Sequence, residues 1–253
     1  MKDKLTDQNY WENYYHQAST QKANIENVCG YYNAIWDIWV KSAARKPETV
    51  IEIGAYPGRY IAYFAAKLGL HVTGLDYNSD LNKIKESMEV MGVKDYDYIQ
   101  ADFFKYLPDK KYDLVFSGGF IEHFDDFKTT LDLHLNYLAS TGSLLVMIPN
   151  MNYLRKYYAR LLDKKNIEVH NLNSMHLSVF KDFASRNNLQ IKYLSYEGGF
   201  SFNVHEPLTK PYKKLAFKVT RKIFKAINPL LAKYPSKYYS ANIIGIFTRK
   251  QDI

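Results

Sequence analysis

TVIEIGAYPG, residues 49–58, reads as a short β-branched strand that ends in Gly54, a tight loop containing Pro57 and Gly58, and the start of a helical pattern at Arg59. In an open parallel sheet such a loop lies beyond the carboxyl end of its strand, which is where ligands bind. Gly54 and Gly58 permit a sharp turn and close backbone approach. Glu52, at the end of the strand, would bring a carboxylate into the site. That charge repels a pyrophosphate and suits a cationic amino-acid moiety. The spacing is G-x-x-x-G rather than the G-x-G-x-x-G of dinucleotide binders, so the loop alone is a weak signal.

Outward from this loop, strands and helices alternate. A helix is predicted over 59–68, with Gly69 as its C-terminal cap. HVTGLD (71–76) is a second strand, and Ser79 or Asp80 can cap a helix running to Met91. YDYIQADFF (96–104) and YDLVFSGG (112–119) are strands three and four. A helix over about 125–138 leads into SLLVMIP (143–149). Crossovers of this length imply a right-handed, parallel arrangement. A polar segment, 151–175, follows, with a helix over 153–162. A helix at 177–188 precedes strand six (190–198), and ANIIGIFT (241–248) is strand seven. Before the first strand, residues 1–48 read as helices; Tyr32, Ile35, Trp36 and Trp39 share one helical face.

Three further strand ends add to the loop. Asp76 ends strand two 22 residues after Gly54, where an acid can accept both hydroxyls of a ribose. Asp102 ends strand three, placed to meet an adenine amino group, with Phe103 beside it. Strand four ends in SGGFIEHF, small residues followed by Glu122-His123. Each also has a plainer role available: Glu52 as a solvated strand end, Asp76 and Asp102 as turn residues.

The ordered set VIEIGAYPG, VTGLDYN, IQADFF, YDLVFSGGFIEHF and GSLLVMIPN resembles the class I S-adenosylmethionine-dependent methyltransferases over about residues 49–150, and the last helix and strands extend the likeness. The resemblance implies an α/β, doubly wound, Rossmann-like fold: a mostly parallel seven-stranded sheet with helices on both faces. A helical cap (1–48) would precede a domain over 49–253 with insertions at 151–175 and 205–238. It implies S-adenosyl-L-methionine as cofactor, with Glu52, Gly54, Ala55 and Gly58 at its methionine part and Asp76 and Tyr77 at the ribose. Asp102 and Phe103 would hold adenine, and Gly118, Gly119 and Phe120 would wall the sulfonium. Tyr14, and with it Tyr15, could close over the cofactor or simply pack. One departure is Tyr56-Pro57 in place of the family's middle glycine, which stiffens the loop.

Methyl transfer needs alignment, and a base where the acceptor is a hydroxyl. His123 and His176 are the catalytic candidates, with His170 also in the segment expected over the pocket; a lone histidine is commonly structural. No metal is expected. No cysteine lies near strands four or five, and no Asn/Asp/Ser-Pro-Pro-aromatic signature follows strand four, which argues against cysteine-assisted carbon methylation and adenine-N6 methylation of DNA. The expected acceptor is a small molecule or glycan, which could be lipid-linked. RNA methylation and a silent cofactor-binding scaffold are the alternatives.

Composition adds boundaries. The single cysteine, Cys29, excludes an intramolecular disulfide framework. With a polar N-terminus and no run of 18 apolar residues, a cytoplasmic setting is expected. The 23 tyrosines suit a sugar- or base-lined pocket, although codon bias raises tyrosine as well. The formal charge of +8 is concentrated: 11 Lys/Arg and no Asp/Glu lie between Pro207 and Gln251, and the remainder is slightly acidic. There a helix is predicted from Pro211 to the Asn228-Pro229 stop. Tyr212, Leu215, Ala216, Val219, Ile223, Ala226 and Ile227 fall on one stripe, with Lys214, Lys218, Arg221, Lys222 and Lys225 opposite. Such a helix covers a sheet with its lysines solvated, lies on the inner membrane surface through 211–227, or, as the lesser alternative, tracks nucleic-acid phosphates.

Overall fold

The computed structural model describes residues 5–6, 10–11 and 20–250. Helices α1 (Lys22–Gly30) and α2 (Asn33–Ser42) precede the sheet. The alternating part comprises β1 (Thr49–Ile53), α3 (Arg59–Tyr63, continuing as a π turn to Leu68), β2 (His71–Asp76), α4 (Asn82–Val90) and β3 (Asp97–Gln100). It continues with β4 (Tyr112–Gly118), α5 (Phe127–Leu133) and β5 (Leu138–Pro149). The last part holds α6 (Tyr153–Leu162), α7 (Lys164–Glu168), α8 (Leu177–Arg186), β6 (Leu189–Glu197), α9 (Pro211–Leu231) and β7 (Asn242–Arg249).

The seven strands form one sheet in the order β3-β2-β1-β4-β5-β7-β6. The first five are parallel, and β7 runs antiparallel to both β5 and β6. The chain reverses direction across the sheet between β1 and β4, so the crevice at their carboxyl ends is the switch point where ligands bind. Ile53 pairs with Leu75 on one side and Ser117 on the other. That register brings Gly54, Asp76 and Gly118 to one edge.

Both sheet faces are covered. On one, α1 to α4 pack around Trp36 and Trp39, with Phe64, Phe116 and Ile244. Both indoles are buried and satisfied: Trp36 donates to Cys29 O (2.8 Å) and Trp39 to Ser143 O (3.1 Å). The helices before β1 are therefore a layer of the main core. On the other face Phe180 and Phe183 of α8 meet Phe247 and Leu131. A third, smaller cluster joins Tyr158 and Leu162 of α6 to Phe200, Phe217 and Phe224.

Four boundaries differ from expectation. Strand β3, expected over 96–104, ends at Gln100, and Asp102 lies in the loop after it, where its carboxylate accepts Phe104 N–H. The helix predicted over 125–138 ends at Leu133 with a 3-10 turn, and β5 begins at Leu138, because Tyr112 pairs with Leu138 before the register shifts at Leu114. Helix α4 starts at Asn82, whose N–H is taken by the Asp80 carboxylate (3.0 Å). Helix α9 continues through Pro229 to Leu231. Asn228 anchors that end: its amide accepts from Phe200 N–H (2.8 Å) and donates to Phe200 O (2.9 Å), while Ala232 N–H closes the turn on Asn228 O.

Candidate active site

Two cavities meet at the carboxyl ends of β1, β2 and β4. The smaller, of about 150 Å³, is bounded by Gly54, Tyr56, Asp76, Tyr77, Asn78, Asp102, Phe103, Phe104 and Phe120, with Thr6 and Trp11 over it. The larger, of about 420 Å³, is lined by Tyr32, Arg59, Tyr60, Glu122, Arg155, Asn166, His170, Asn203 and His205 among others. Gly118, Gly119, His123 and Trp11 border both. Together they fall within the roughly 300–1,000 Å³ of small-molecule sites.

The strand ends shape the smaller cavity. Gly54 sits at φ +76°, and a Cβ there would lie 2.7 Å from the Phe120 ring, so only glycine lets the loop and this ring meet. Asp76 accepts the N–H groups of Tyr56 (3.0 Å) and Asn78 (2.8 Å), which fix its carboxylate on the wall. Tyr56 also donates its hydroxyl to Asp80, so the Tyr-Pro that replaces a glycine is built into the loop. Asp102 accepts Phe104 N–H (3.1 Å), and Phe103 stacks on Tyr137 at 5.8 Å. No Lys or Arg borders this cavity among the described residues. Its walls are aromatic and anionic.

The structure brings together Gly54, Asp76, Tyr77, Asp102, Phe103, Gly118, Gly119, Phe120 and His123 of the residues singled out above. Glu52, Ala55, Gly58 and His176 border neither cavity. Glu52 is buried beneath the loop and accepts Ile61 N–H (3.1 Å) in the first turn of α3, where a carboxylate meets the positive end of the helix. Burial pushes its carboxyl well above the usual range. Gly58 caps α3 at φ +91° and packs under Ile84. His176 caps α8 through its carbonyl, which Val179 N–H reaches at 3.0 Å. Tyr14 lies outside the described residues.

The larger cavity holds groups the sequence did not single out. Glu122 sits on a 3-10 turn (Ile121–His123) after β4, fully buried, with no hydrogen-bond partner for either carboxylate oxygen among the described residues. Burial pushes its carboxyl up to about 8. His123 Nδ1 bonds Val169 O at 2.8 Å, and Nε2 lies 3.7 Å from Glu122 Oε1. Burial, with His170 beside it, holds the His123 imidazole down at about 3. His170 bonds Asn166 O (2.5 Å), and burial holds it at about 4. Both imidazoles are thus neutral near pH 7. The edge of Trp11 meets the His123 ring at 4.7 Å, and Leu5 N–H donates to His123 O.

The outer wall is tied by Asp163, at the α6–α7 junction. Its buried carboxylate accepts the N–H groups of His205 and Glu206 and the amide of Asn166. Arg155 donates to Asn203 O (2.8 Å) on the same wall. Glu122, His123 and His170 each offer one ligand atom, and these lie within 4.8 Å of one another. Among the described residues they are the set with the chemistry to hold a divalent ion. The one signal for Glu122 in the sequence was its position, directly after the small residues that end strand four.

This arrangement of cavities at a parallel-sheet switch point has relatives. A methyltransferase-domain family model matches residues 28–194, and the chain belongs to that family. The probable (S)-tetrahydroprotoberberine N-methyltransferase 2 of Papaver bracteatum is 32% identical over 101 residues, 39% of this chain and 28% of that enzyme. The match thus spans under a third of that relative's length. Among solved structures, a methyltransferase from Thiobacillus denitrificans in complex with S-adenosyl-L-homocysteine aligns over 95% of this chain and 98% of its own (TM-score 0.56, 14% identity). The plantazolicin methyltransferase BpumL aligns over 96% and 90% (TM-score 0.55, 16% identity). At these identities the two structures speak for the fold, a seven-stranded methyltransferase sheet as expected.

Proposed function

We propose that the chain transfers the methyl group of S-adenosyl-L-methionine to a hydroxyl of a small-molecule or glycan acceptor seated in the larger cavity. The observation that carries this reading is the buried Glu122 carboxyl, which has no hydrogen-bond partner among the described residues, on the acceptor side of the Gly118-Gly119 strand end. The donor set of the smaller cavity fits the cofactor: two carboxylates for hydroxyls and an amino group, aromatic rings for a base, and no Lys or Arg among the described residues of its wall to repel a sulfonium. In this reading Asp76 binds the ribose hydroxyls, Asp102 with Phe103 binds adenine, and Gly118-Gly119 leave room beside the sulfur. When bound, the cofactor supplies an electrophilic methyl group on a positively charged sulfur.

The acceptor side supplies alignment and a base. Glu122 takes the hydroxyl proton; its carboxyl titrates near neutrality, where a general base works best, and positive charge in the adjoining cavity favours its ionised form. His123, held neutral and oriented by Val169 O, packs at the junction as a positioning residue. Arg155 and Asn166 orient polar groups of the acceptor. Glu52 acts from beneath, holding the first turn of α3 and with it the loop.

An amine acceptor is the second reading, favoured by the N-methyltransferase named above and by the carboxyl that could hold an ammonium group. Product release assays with tritiated cofactor across matched alcohol and amine acceptors decide between them. Calorimetry with S-adenosylhomocysteine tests the cofactor assignment itself. Unchanged affinity after Asp76→Ala would refute the site.

A further inference from the structure

Helix α9 has three faces. Ala216, Phe217 and Phe224 turn inward onto Tyr158, Leu162 and Phe200. At 100° per residue a second stripe, Leu215, Val219, Ile223 and Leu230, runs beside that face. These side chains are 63%, 48%, 50% and 60% exposed. The third face carries Lys214, Lys218, Arg221, Lys222 and Lys225, all exposed. The stripe read from the sequence as one apolar face therefore points mostly outward, and the helix leans on α6 rather than covering the sheet.

Helix α6 repeats the pattern. Its inner face carries Tyr158 and Leu162 into the same cluster, while Leu154, Tyr157 and Leu161 are exposed at i, i+3 and i+7 with Lys156 and Arg160 beside them. Leu154 N–H bonds Tyr238 O, and Lys237 lies over the rings of Tyr153 and Tyr238, so the segment after α9 joins this layer. Tyr212, Tyr234 and Tyr238 are exposed at its margins.

We propose that this α6–α9 layer docks on an anionic lipid bilayer, its aliphatic stripes entering the headgroup boundary and its lysines meeting lipid phosphates. Charge selects this occupant. Between 207 and 251 there is no Asp or Glu, so two copies meeting on this face would bring like charges together. A nucleic acid would satisfy the lysines and stack on the marginal tyrosines but leave Leu215, Val219 and Ile223 in water, whereas a bilayer covers all three kinds of side chain. Aliphatic stripe, basic flank and marginal tyrosines are the composition of a helix lying in the interface. No helix of the described residues is long and apolar enough to cross a membrane, so the contact is peripheral.

The docking layer also shares walls with the larger cavity. The same α6 that shows Leu154 and Leu161 outward carries Arg155 inward, and Ser201 and Asn203 follow Phe200 directly. On the methyl-transfer reading, a polar acceptor carried on a lipid tail would then meet the cavity from the membrane side.

Flotation of the full chain with vesicles of phosphatidylcholine, with and without phosphatidylglycerol, tests this. Wild type is expected to float with the anionic vesicles and to be released by salt. Lys218→Ala with Lys222→Ala should weaken partitioning about 25-fold, from roughly fivefold per basic residue at an anionic surface. Leu215→Glu with Ile223→Glu should weaken it by at least about a hundredfold through lost apolar burial. All four residues are exposed, so both pairs should keep the thermal midpoint and S-adenosylhomocysteine affinity of wild type. Wild type that stays with neither vesicle, or floats equally with both, overturns the proposal. So does vesicle binding that survives Leu215→Glu with Ile223→Glu, or a dimer that this pair dissolves while no vesicle binding is seen. Loss of cofactor-product affinity with vesicle binding intact would instead refute the methyl-transfer reading alone.

Discussion

Replacing Glu122 by glutamine should make the protein more stable in alkali while removing its activity. Burial lifts this carboxyl from about 4.5 to about 8, because water that would solvate the anion is absent and only the residue's own backbone N–H opposes the shift. At about 1.36 kcal/mol per pH unit, that difference is worth roughly 5 kcal/mol. The folded protein binds this proton more tightly than the unfolded chain does. The contribution is thus fully present below about pH 4.5 and is lost as pH rises to about 8. Glutamine has the same shape and no proton to lose. The variant should match wild type near pH 5 and gain steadily above it. Because a cavity borders the side chain and lets it relax, about 2–4 kcal/mol by pH 8 is expected rather than the full figure. Urea unfolding at pH 5.5 and pH 8 measures this as a pH-dependent midpoint shift at constant slope. With a responsive acceptor, turnover should fall on the order of 10²–10⁴-fold while cofactor-product affinity stays put. Parallel stability curves for the two proteins, or a less stable variant at pH 8, would refute the argument that this carboxyl is buried without compensation.

Other outcomes follow from the same geometry. Asp76→Asn keeps the shape but offers one acceptor oxygen where the carboxylate takes the N–H groups of both Tyr56 and Asn78, and should weaken S-adenosylhomocysteine binding about 10–100-fold by calorimetry while costing about 1–3 kcal/mol in urea unfolding. Trp36→Ala empties a site packed against Phe64 and Phe116 at 5.1 and 5.6 Å and should cost about 3–5 kcal/mol in urea unfolding. His123, His134 and His170 are held neutral by burial at about 3, 4 and 4. Their stabilisation is present above pH 6.5 and is lost as pH falls through 4. Offset by Glu122 and Glu52, whose carboxyls are both raised by burial, unfolding should take up about one net proton near pH 5.5, a slope of roughly 1–1.5 kcal/mol per pH unit, and a flat profile there would contradict it. Chelation should leave turnover unchanged; a loss restored by a divalent ion would make Glu122, His123 and His170 a metal centre.

Much of the fold could be read from periodicity and turn chemistry. The strands 49–54, 71–76 and 112–118 stand nearly where the β-branched runs and Gly or Asp stops put them. Where local signals competed with tertiary pairing, tertiary pairing prevailed. Leu138 was expected in a helix but is drawn onto the Tyr112 ladder, and Pro229 does not stop α9 because the Asn228 amide is clamped on the Phe200 backbone. Glu52 shows the same limit within the site. A carboxylate at a strand end can face the ligand or the helix behind the loop, and the strand period alone cannot say which. The alternation that sends Ile53 to one face sends Glu52 to the side where α3 begins, so it serves Ile61.

The two cavities differ in legibility for a physical reason. The smaller is built from the ends of β1, β2, β3 and β4, and a parallel sheet forces those ends to one edge. Short contiguous motifs therefore converge by topology, and Asp76 and Asp102 can be placed from spacing alone. The larger is closed by Tyr60, Glu122, Arg155, Asn166, His170, Asn203 and His205, which come from loops and helix ends that no period relates. Its outer wall is joined by Asp163, whose one carboxylate gathers His205, Glu206 and Asn166 with Arg155 beside it, a long-range set invisible to any local pattern. Burial is also what turns Glu122 from a common surface residue into a group titrating near neutrality, and burial belongs to the folded chain. A histidine next to a strand end draws notice in a sequence because its ordinary pKa is already near 7. Here folding reverses the roles: it drives His123 away from neutrality and brings Glu122 to it, so the base that the proposed reaction calls on is the residue whose type gave least warning.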